Sequence, residues 1–240
     1  MLPLVAWRGV SAVNVLLFND IFAALAVVFI FLMLEAMRER GWSALHWKEN
    51  ATLALFAGFS SALYYLTTQP LVNLVSQVYA MAFLSLSLWL AFDNRLKGKM
   101  IGAFLAGSGL AIAILARPNM VFAWLLIVAI QIDEFYHEGN KTTQDLIKWG
   151  LFSGIPIAAS VALLFWYNWA RFGSGFDFGY EYMLVAERLK SDLYIYGQFH
   201  PHFIWRNFFD NFLRLPYLDS QCQKIAPMPQ GMSIFITSPL

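Results

Sequence analysis

Two arginines are the residues of this sequence whose type and position point most clearly to chemistry. Arg117 lies in the short sequence Leu115–Asn119 (LARPN) between two long apolar runs, and Arg171 follows a later apolar run. The planar guanidinium group matches the oxygen atoms of a phosphate, so either side chain could hold the phosphate of a lipid. The alternative for both is an anchor at the membrane interface, with the charged group in water and the stem against lipid.

Carboxylates and histidines are the other candidates for chemistry. Asp20, near the start of the first apolar run, could act as an acid or a base, or could simply be stabilised by the dipole at a helix N-terminus. His200 and His202 are separated by one proline and need further ligands to bind a metal, so we predict no metal site and interpret both as loop residues. The C-terminal carboxylates are interpreted as surface groups: Asp177, Glu181, Glu187 and Asp192.

The composition places these residues in a membrane protein. The chain has 240 residues, of which 59% are hydrophobic and 13% are charged, whereas about 25% of residues are charged in a soluble domain. Its mean hydropathy is +0.56. The net charge of +1 gives no indication of nucleic-acid binding. The sequence therefore predicts an all-α, multi-pass transmembrane protein whose partner is the lipid bilayer.

The apolar runs predict about six membrane spans within residues 1–169, preceded by an interfacial segment at 1–10. These spans are residues 13–37, 51–66, 74–92, the two arms of a hairpin at 101–132, and 149–169. Arg117 is placed at the tip of the hairpin, because a charge at the bilayer centre costs about 2.5 kcal/mol or more and Pro118 interrupts a helix. Several spans are shorter than the usual length of about 20 residues.

Positive charge predicts the orientation. The loops at 38–50, 93–100 and 133–148 fall on one side of the membrane and share these residues: Arg38, Arg40, Lys48, Arg95, Lys97, Lys99, Lys141 and Lys148. By the positive-inside rule this side is cytoplasmic, so Arg117 and everything after residue 169 face outward from the cell membrane. The glycosylation sequons at Asn50 and Asn140 are then cytoplasmic, and we interpret them as chance matches.

The remaining residues, 170–240, are predicted to form an extracytoplasmic tail. Residues 203–215 (FIWRNFFDNFLRL) have helical periodicity, and one face of that helix is apolar: Phe203, Ile204, Phe208, Phe212 and Leu215. Such a pattern is typical of a helix that lies in the membrane interface. Residues 233–240 turn apolar again and are interpreted as the start of a further, incomplete span.

The order of these features resembles that of the GT-C superfamily of membrane glycosyltransferases, especially the bacterial branch akin to dolichyl-phosphate-mannose protein mannosyltransferases. Four segments carry the resemblance: the apolar entry into a span with Asn19-Asp20, then Leu63-Tyr64-Tyr65, Gly107–Pro118 (GSGLAIAILARP) and Asn168–Tyr182 (NWARFGSGFDFGYEY). The resemblance implies transfer of a sugar from a polyprenyl-phosphate donor to an acceptor on the external face.

The catalytic aspartate of that superfamily lies in the first external loop, and no position here matches it. We therefore expect a fragment that lacks the first span and the catalytic loop, with no catalytic residue assigned. The full-length protein would be a hexosyl or pentosyl transferase, in which a cation must offset the charge of the leaving phosphate, and Arg117 is the residue predicted for this role. Arg171 is a further predicted ligand of the lipid phosphate, and a divalent cation could be a cofactor of the full-length protein. Two alternatives are kept: a transporter or flippase module, and a non-catalytic membrane scaffold.

Overall fold

A computed structural model describes residues 14–68, 71–137, 142–179, 187–197, 200–219, 224–226 and 232–237. The interfacial segment predicted at 1–10 lies outside the described residues, as do Asn140, Lys141 and Glu181. Contacts divide the chain into two units, Met1–Trp166 and Tyr167–Leu240.

The first unit is helical, as the sequence predicts. Its helices are α1 (Val15–Glu39), α2 (Trp47–Phe59), α3 (Ala62–Thr67), α4 (Val72–Phe92), α5 (Met100–Ala116), α6 (Trp124–His137) and α7 (Thr143–Phe172), which continues into the second unit. A 3₁₀ turn, Pro118–Ala123, joins α5 to α6. Asn14 caps α1 by accepting a hydrogen bond from the Leu17 amide at 3.1 Å, which satisfies one of the free donors of the first turn.

Four helical stretches are long and apolar enough to cross a membrane: Val15–Glu39, Leu74–Phe92, Pro118–His137 and Thr143–Phe172. They fall on four of the predicted spans. The fourth predicted span is the apolar helix Met100–Ala116, which at 17 residues is shorter. The second predicted span is not one helix but the pair α2 and α3.

The interruption between α2 and α3 lies at Ser60 and Ser61. The Ser61 hydroxyl donates to the Ala57 carbonyl at 2.5 Å and accepts from the Leu63 amide at 3.1 Å. One side chain thus caps the end of α2 and the start of α3 together. A serine hydroxyl can replace the backbone hydrogen bonds of a helix in this way. The apolar composition of 51–66 does not predict such a break.

Helices α1 and α4 run parallel to each other along their whole length. Phe22 contacts Tyr79 at one level, with ring centroids 4.6 Å apart, and Phe29 stacks on Trp89 further along, at 5.9 Å. The α2–α3 pair runs antiparallel to α1, since Asn50 bonds Glu35 and Asn19 bonds Thr67. Therefore α2 and α3 together cover the same length as α1.

Helix α5 packs closely because its contact faces carry small residues. A Cβ atom at Gly107 would lie 2.2 Å from the Ser153 carbonyl oxygen of α7, and one at Gly109 would lie 3.1 Å from Ser87 of α4. The Ser87 hydroxyl donates to the Ala106 carbonyl at 2.6 Å. Small residues and interhelical hydrogen bonds of this kind are how helices associate in a membrane.

The second unit holds short elements after the end of α7. They are α8 (Glu187–Tyr196), α9 (His202–Phe208), a π turn (Phe209–Leu213), the antiparallel strands β1 (Tyr217–Asp219) and β2 (Lys224–Ala226), and α10 (Ile234–Thr237). The helix predicted at 203–215 is thus present over 202–213, although its last turn is π-helical. The two short strands were not predicted. Within the segment predicted as the start of a span, the described helix is only the four-residue α10.

Candidate functional site: the two ends of the helical bundle

Among the described residues of the first unit, the charged side chains lie at its two ends. One end, here called the basic end, collects seven of the eight described Lys and Arg residues of that unit: Arg38, Arg40, Lys48, Arg95, Lys97, Lys99 and Lys148. They meet because the end of α1, the start of α2, the 93–99 loop, the end of α6 and the start of α7 come together there. The alternation of ends that the sequence analysis used is therefore present in the fold.

The opposite end, here called the Arg117 end, holds the starts of α1 and α4, the end of α3 and the turn after α5. Among the described residues of the first unit, its Asp, Glu, Lys and Arg side chains are Asp20 and Arg117. Both were candidates in the sequence. The fold therefore brings one carboxylate and one guanidinium to the same end of an otherwise apolar bundle.

A groove of about 220 Å³ opens at the Arg117 end between α1 and the α2–α3 pair. Apolar and small side chains form most of its walls, and its polar groups are a carboxylate and two hydroxyls. The lining residues are Asp20, Ala23, Ala24, Val27, Gly58, Phe59, Leu63, Tyr64 and Thr67. This combination suits a narrow apolar chain that carries a polar group at one end.

Asn19 fixes the polar end of the groove. Its side chain is fully buried, and its amide nitrogen donates to the carbonyls of Leu66 and Thr67 at 3.0 and 3.1 Å. These are carbonyls of the last turn of α3, which has no further turn to satisfy them. Asp20 follows Asn19 directly and is exposed. The buried amide thus positions the neighbouring carboxylate beside the groove.

Arg117 terminates α5 in extended backbone, with φ −147° and ψ 105°. Its amide donates to the Ala113 carbonyl at 2.8 Å, and its carbonyl accepts from the Met120 amide at 3.0 Å. Pro118 then starts the 3₁₀ turn. The side chain is half-buried. The predicted turn at Arg-Pro-Asn is confirmed, and its geometry places the arginine where the two apolar runs meet.

Arg171, the other predicted phosphate ligand, lies in the second unit. Its guanidinium carbon sits 5.0 Å from the ring centroid of Phe172, and Nη1 donates to the Tyr167 hydroxyl at 3.2 Å. These contacts are with residues of its own helix and describe a cation held on an aromatic surface. The interfacial-anchor and the phosphate-binding interpretations of Arg171 both stay predictions.

The basic end contains a buried ion pair that the sequence analysis missed. Arg40 pairs with Glu134, and the side chains are 4% and 8% exposed. Arg40 also donates to the Ala91 carbonyl at 3.0 Å, so α1, α4 and α6 are tied together. No local pattern signals this pair, because its members are 94 positions apart. A buried pair with additional hydrogen bonds stabilises the fold, because removing either charge would leave the other buried without a partner. The Arg40–Glu134 pair is here called the latch.

Asp93 organises the loop beside that latch. It accepts hydrogen bonds from the Arg95 amide at 2.9 Å and from the Arg95 guanidinium at 3.0 to 3.2 Å. Burial works to raise the pKa of Asp93, but these hydrogen bonds and the charges of Arg95 and Arg40 outweigh it and lower the pKa below its ordinary value. The loop is therefore held by an ionised aspartate.

The histidine pair has structural contacts. Tyr196 stacks on His202 with centroids 4.2 Å apart and lies 5.1 Å from His200. No group of three or more His, Cys, Asp or Glu residues that could hold a metal occurs in the part of the chain that the structure describes. Asn50 is fully buried and donates to Glu35 at 2.6 Å, so its sequon is inaccessible.

The predicted surface carboxylates also take part in local structure. Asp177 accepts from the Gly179 amide at 2.7 Å, and Asp192 pairs with Arg206. Within the described ranges, neither belongs to a group of three or more His, Cys, Asp or Glu side chains that could hold a metal ion.

Comparisons with protein-family models, with curated proteins and with solved structures find no match to this chain. The resemblance to GT-C glycosyltransferases therefore depends on the quoted sequence segments alone.

Proposed function

We propose that this chain is part of a GT-C-type membrane glycosyltransferase, with a site for the polyprenyl-phosphate sugar donor at the Arg117 end. In this proposal the bundle crosses the cell membrane about six times, α2 and α3 together form the second span, and α5 forms the fourth. The Arg117 end and the tail face the outside. No residue of this chain is assigned as the catalytic base, and Arg117 offsets the charge of the donor phosphate.

The groove is the single observation that carries this proposal. An isoprenoid chain needs a narrow apolar channel, and the lining between Ala23 and Phe59 provides one. A phosphate needs a cation within reach of that channel, and Arg117 is the described cation of the first unit at the same end of the bundle, on α5, which does not itself line the groove. Asp20 stands beside the groove and would bind a hydroxyl of the sugar or of the acceptor.

Photocrosslinking of the purified chain in lipid nanodiscs tests this proposal. The probe is a polyprenyl phosphate with a diazirine in its chain, and the comparison is the matching neutral polyprenol. We expect the phosphate to label the groove residues, with labelling reduced several-fold by Ala24→Trp, which fills the groove. Leu25→Trp is the matched control, because Leu25 is exposed on the same helix and does not line the groove.

Arg117→Gln separates the role of the charge from that of the groove. We expect it to abolish the preference for the phosphate over the alcohol while leaving labelling by the alcohol unchanged. Equal labelling by both probes in the native chain would contradict the role of Arg117. Absence of groove labelling by either probe would contradict the donor site.

A transporter module is the second candidate, favoured by the break in the α2–α3 pair. Broken helices and facing charges near the midplane are typical of transporters. Here the Ser61 hydroxyl forms hydrogen bonds with both helix ends at the break. The facing charges, Arg40 and Glu134, lie at the basic end and not near the middle of the bundle. Uptake of polyprenyl-phosphate sugar across proteoliposome membranes by the chain alone would favour the transporter over the transferase.

A further inference from the structure

The stretch His202–Leu213, formed by α9 and the π turn, has an exposed apolar face. Two of its side chains are largely exposed, since Ile204 is 70% and Trp205 71% exposed. The same face includes Phe208, Phe209, Phe212 and Leu213, all exposed. A contiguous apolar surface of this kind marks a site of contact with a protein or a membrane.

Arg206 and Asp210 of the same stretch, and Arg214 directly after it, form ion pairs within the second unit. Arg206 pairs with Asp192 of α8, and Arg214 pairs with Asp210 at 2.7 Å. Asp210 is buried at 6% exposure. Each arginine is therefore matched by a carboxylate, and neither is presented to an outside anion.

Contacts at the end of the stretch hold the apolar face outward. The Ser233 hydroxyl donates to the Phe212 carbonyl at 2.9 Å, and the Ser233 amide donates to the Arg214 carbonyl, also at 2.9 Å. These bonds satisfy carbonyls that the π turn leaves without helical partners. The two Ser233 hydrogen bonds therefore fix the end of the stretch within the second unit.

We propose that this face inserts into a lipid surface by apolar contact alone, without a requirement for anionic lipid. The second unit begins with the last turns of α7, a helix long and apolar enough to cross a membrane, so the stretch belongs to a unit that is joined directly to a candidate membrane span. Trp and Phe are the side chains that favour the membrane interface. A basic amphipathic helix gains affinity for anionic lipid from each of its unpaired Lys and Arg side chains, whereas here both arginines are already paired. This proposal is independent of sugar transfer.

Spin labels on the full chain test the proposal. In a Cys222→Ser background, nitroxides are placed at Ile204→Cys and Phe208→Cys, with Asn207→Cys, an exposed polar position of the same stretch, as the matched control. The chain is reconstituted in nanodiscs of phosphatidylcholine alone and of phosphatidylcholine with phosphatidylglycerol. Collisions of each label with oxygen and with a water-soluble nickel chelate are then measured.

We expect the oxygen-to-nickel collision ratio at positions 204 and 208 to exceed that at 207 several-fold, and to be equal in both lipid mixtures and at high salt. A ratio that rises only with phosphatidylglycerol would overturn the charge-independent docking. Labels open to the nickel chelate, or shielded from both reagents by protein, would overturn docking on lipid. Should Phe208→Cys fail to fold, a label at Leu213 repeats the measurement on the same face.

Discussion

The Arg40–Glu134 pair shows how single residues hold the basic end together. Both side chains are almost fully buried, and Arg40 also bonds the end of α4. Taking two charges out of water is costly, and their attraction offsets this cost only while both partners remain. The contribution of the pair to stability is therefore tested by comparing a variant that lacks one partner with a variant that lacks both.

Glu134→Gln should lower the free energy of unfolding by about 3–5 kcal/mol, because it leaves the Arg40 charge buried. Thermal unfolding of the purified protein in detergent measures this loss. Glu39→Gln is the control, since Glu39 is an exposed glutamate at the same end of the bundle. The double variant Arg40→Met/Glu134→Met should recover most of the stability. Equal unfolding temperatures for Glu134→Gln and Glu39→Gln would contradict the latch.

At the scale of elements, close helix contacts determine which glycines can be replaced. Gly107 of α5 and Gly150 of α7 are both helical, but only Gly107 faces another helix. A Cβ atom at Gly107 would meet the backbone oxygen of Ser153 at 2.2 Å, whereas one at Gly150 would meet nothing within 4 Å. Backbone cannot rotate away as a side chain can, so α5 and α7 must separate to accept alanine at 107.

Gly107→Ala should therefore destabilise the protein by roughly 1–3 kcal/mol, the usual cost of overpacking. Gly150→Ala should be neutral or slightly stabilising, because alanine is the better helix former by about 1 kcal/mol. Unfolding midpoints of the two variants in the same detergent provide the comparison. If Gly107→Ala has the same unfolding midpoint as the unsubstituted protein, the close approach of α5 to α7 is wrong.

Sequence reasoning located the elements better than their details. Apolar runs placed α1, α4 and α7 closely, and Arg-Pro-Asn marked the turn after α5, because hydropathy and proline act locally. The break at Ser61 was not predicted, since a serine within an apolar run has no fixed effect on a helix. The π turn and the β1–β2 pair depend on packing within the second unit.

Sequence alone likewise predicted some parts of the candidate site and not others. Arg117 and Asp20 were found by their type and position, because a charge in an apolar chain is conspicuous. The groove was not found, since its walls come from α1 and from the α2–α3 pair, which meet only in the folded chain. The same limit applies to the pairing of Arg40 with Glu134. Residues far apart in sequence give no local signal of contact.

At the largest scale, the functional account depends on the separation of charge between the two ends of the first unit. Seven described Lys and Arg residues at one end and Arg117 at the other fit the positive-inside rule. If the basic end lies in the cytoplasm, as we propose, the groove beside Asp20 opens toward the outside of the cell. There it would meet a lipid-linked sugar presented at the external face.

Labelling with a membrane-impermeant maleimide in intact cells tests this orientation most directly. Asn119→Cys reports on the Arg117 end and Ala44→Cys on the basic end. Both positions are exposed, and both variants carry Cys222→Ser. We predict that Asn119→Cys reacts in intact cells and that Ala44→Cys reacts only after lysis. Reaction of Ala44→Cys in intact cells, with Asn119→Cys protected until lysis, would place the groove in the cytoplasm and contradict the proposed external donor site.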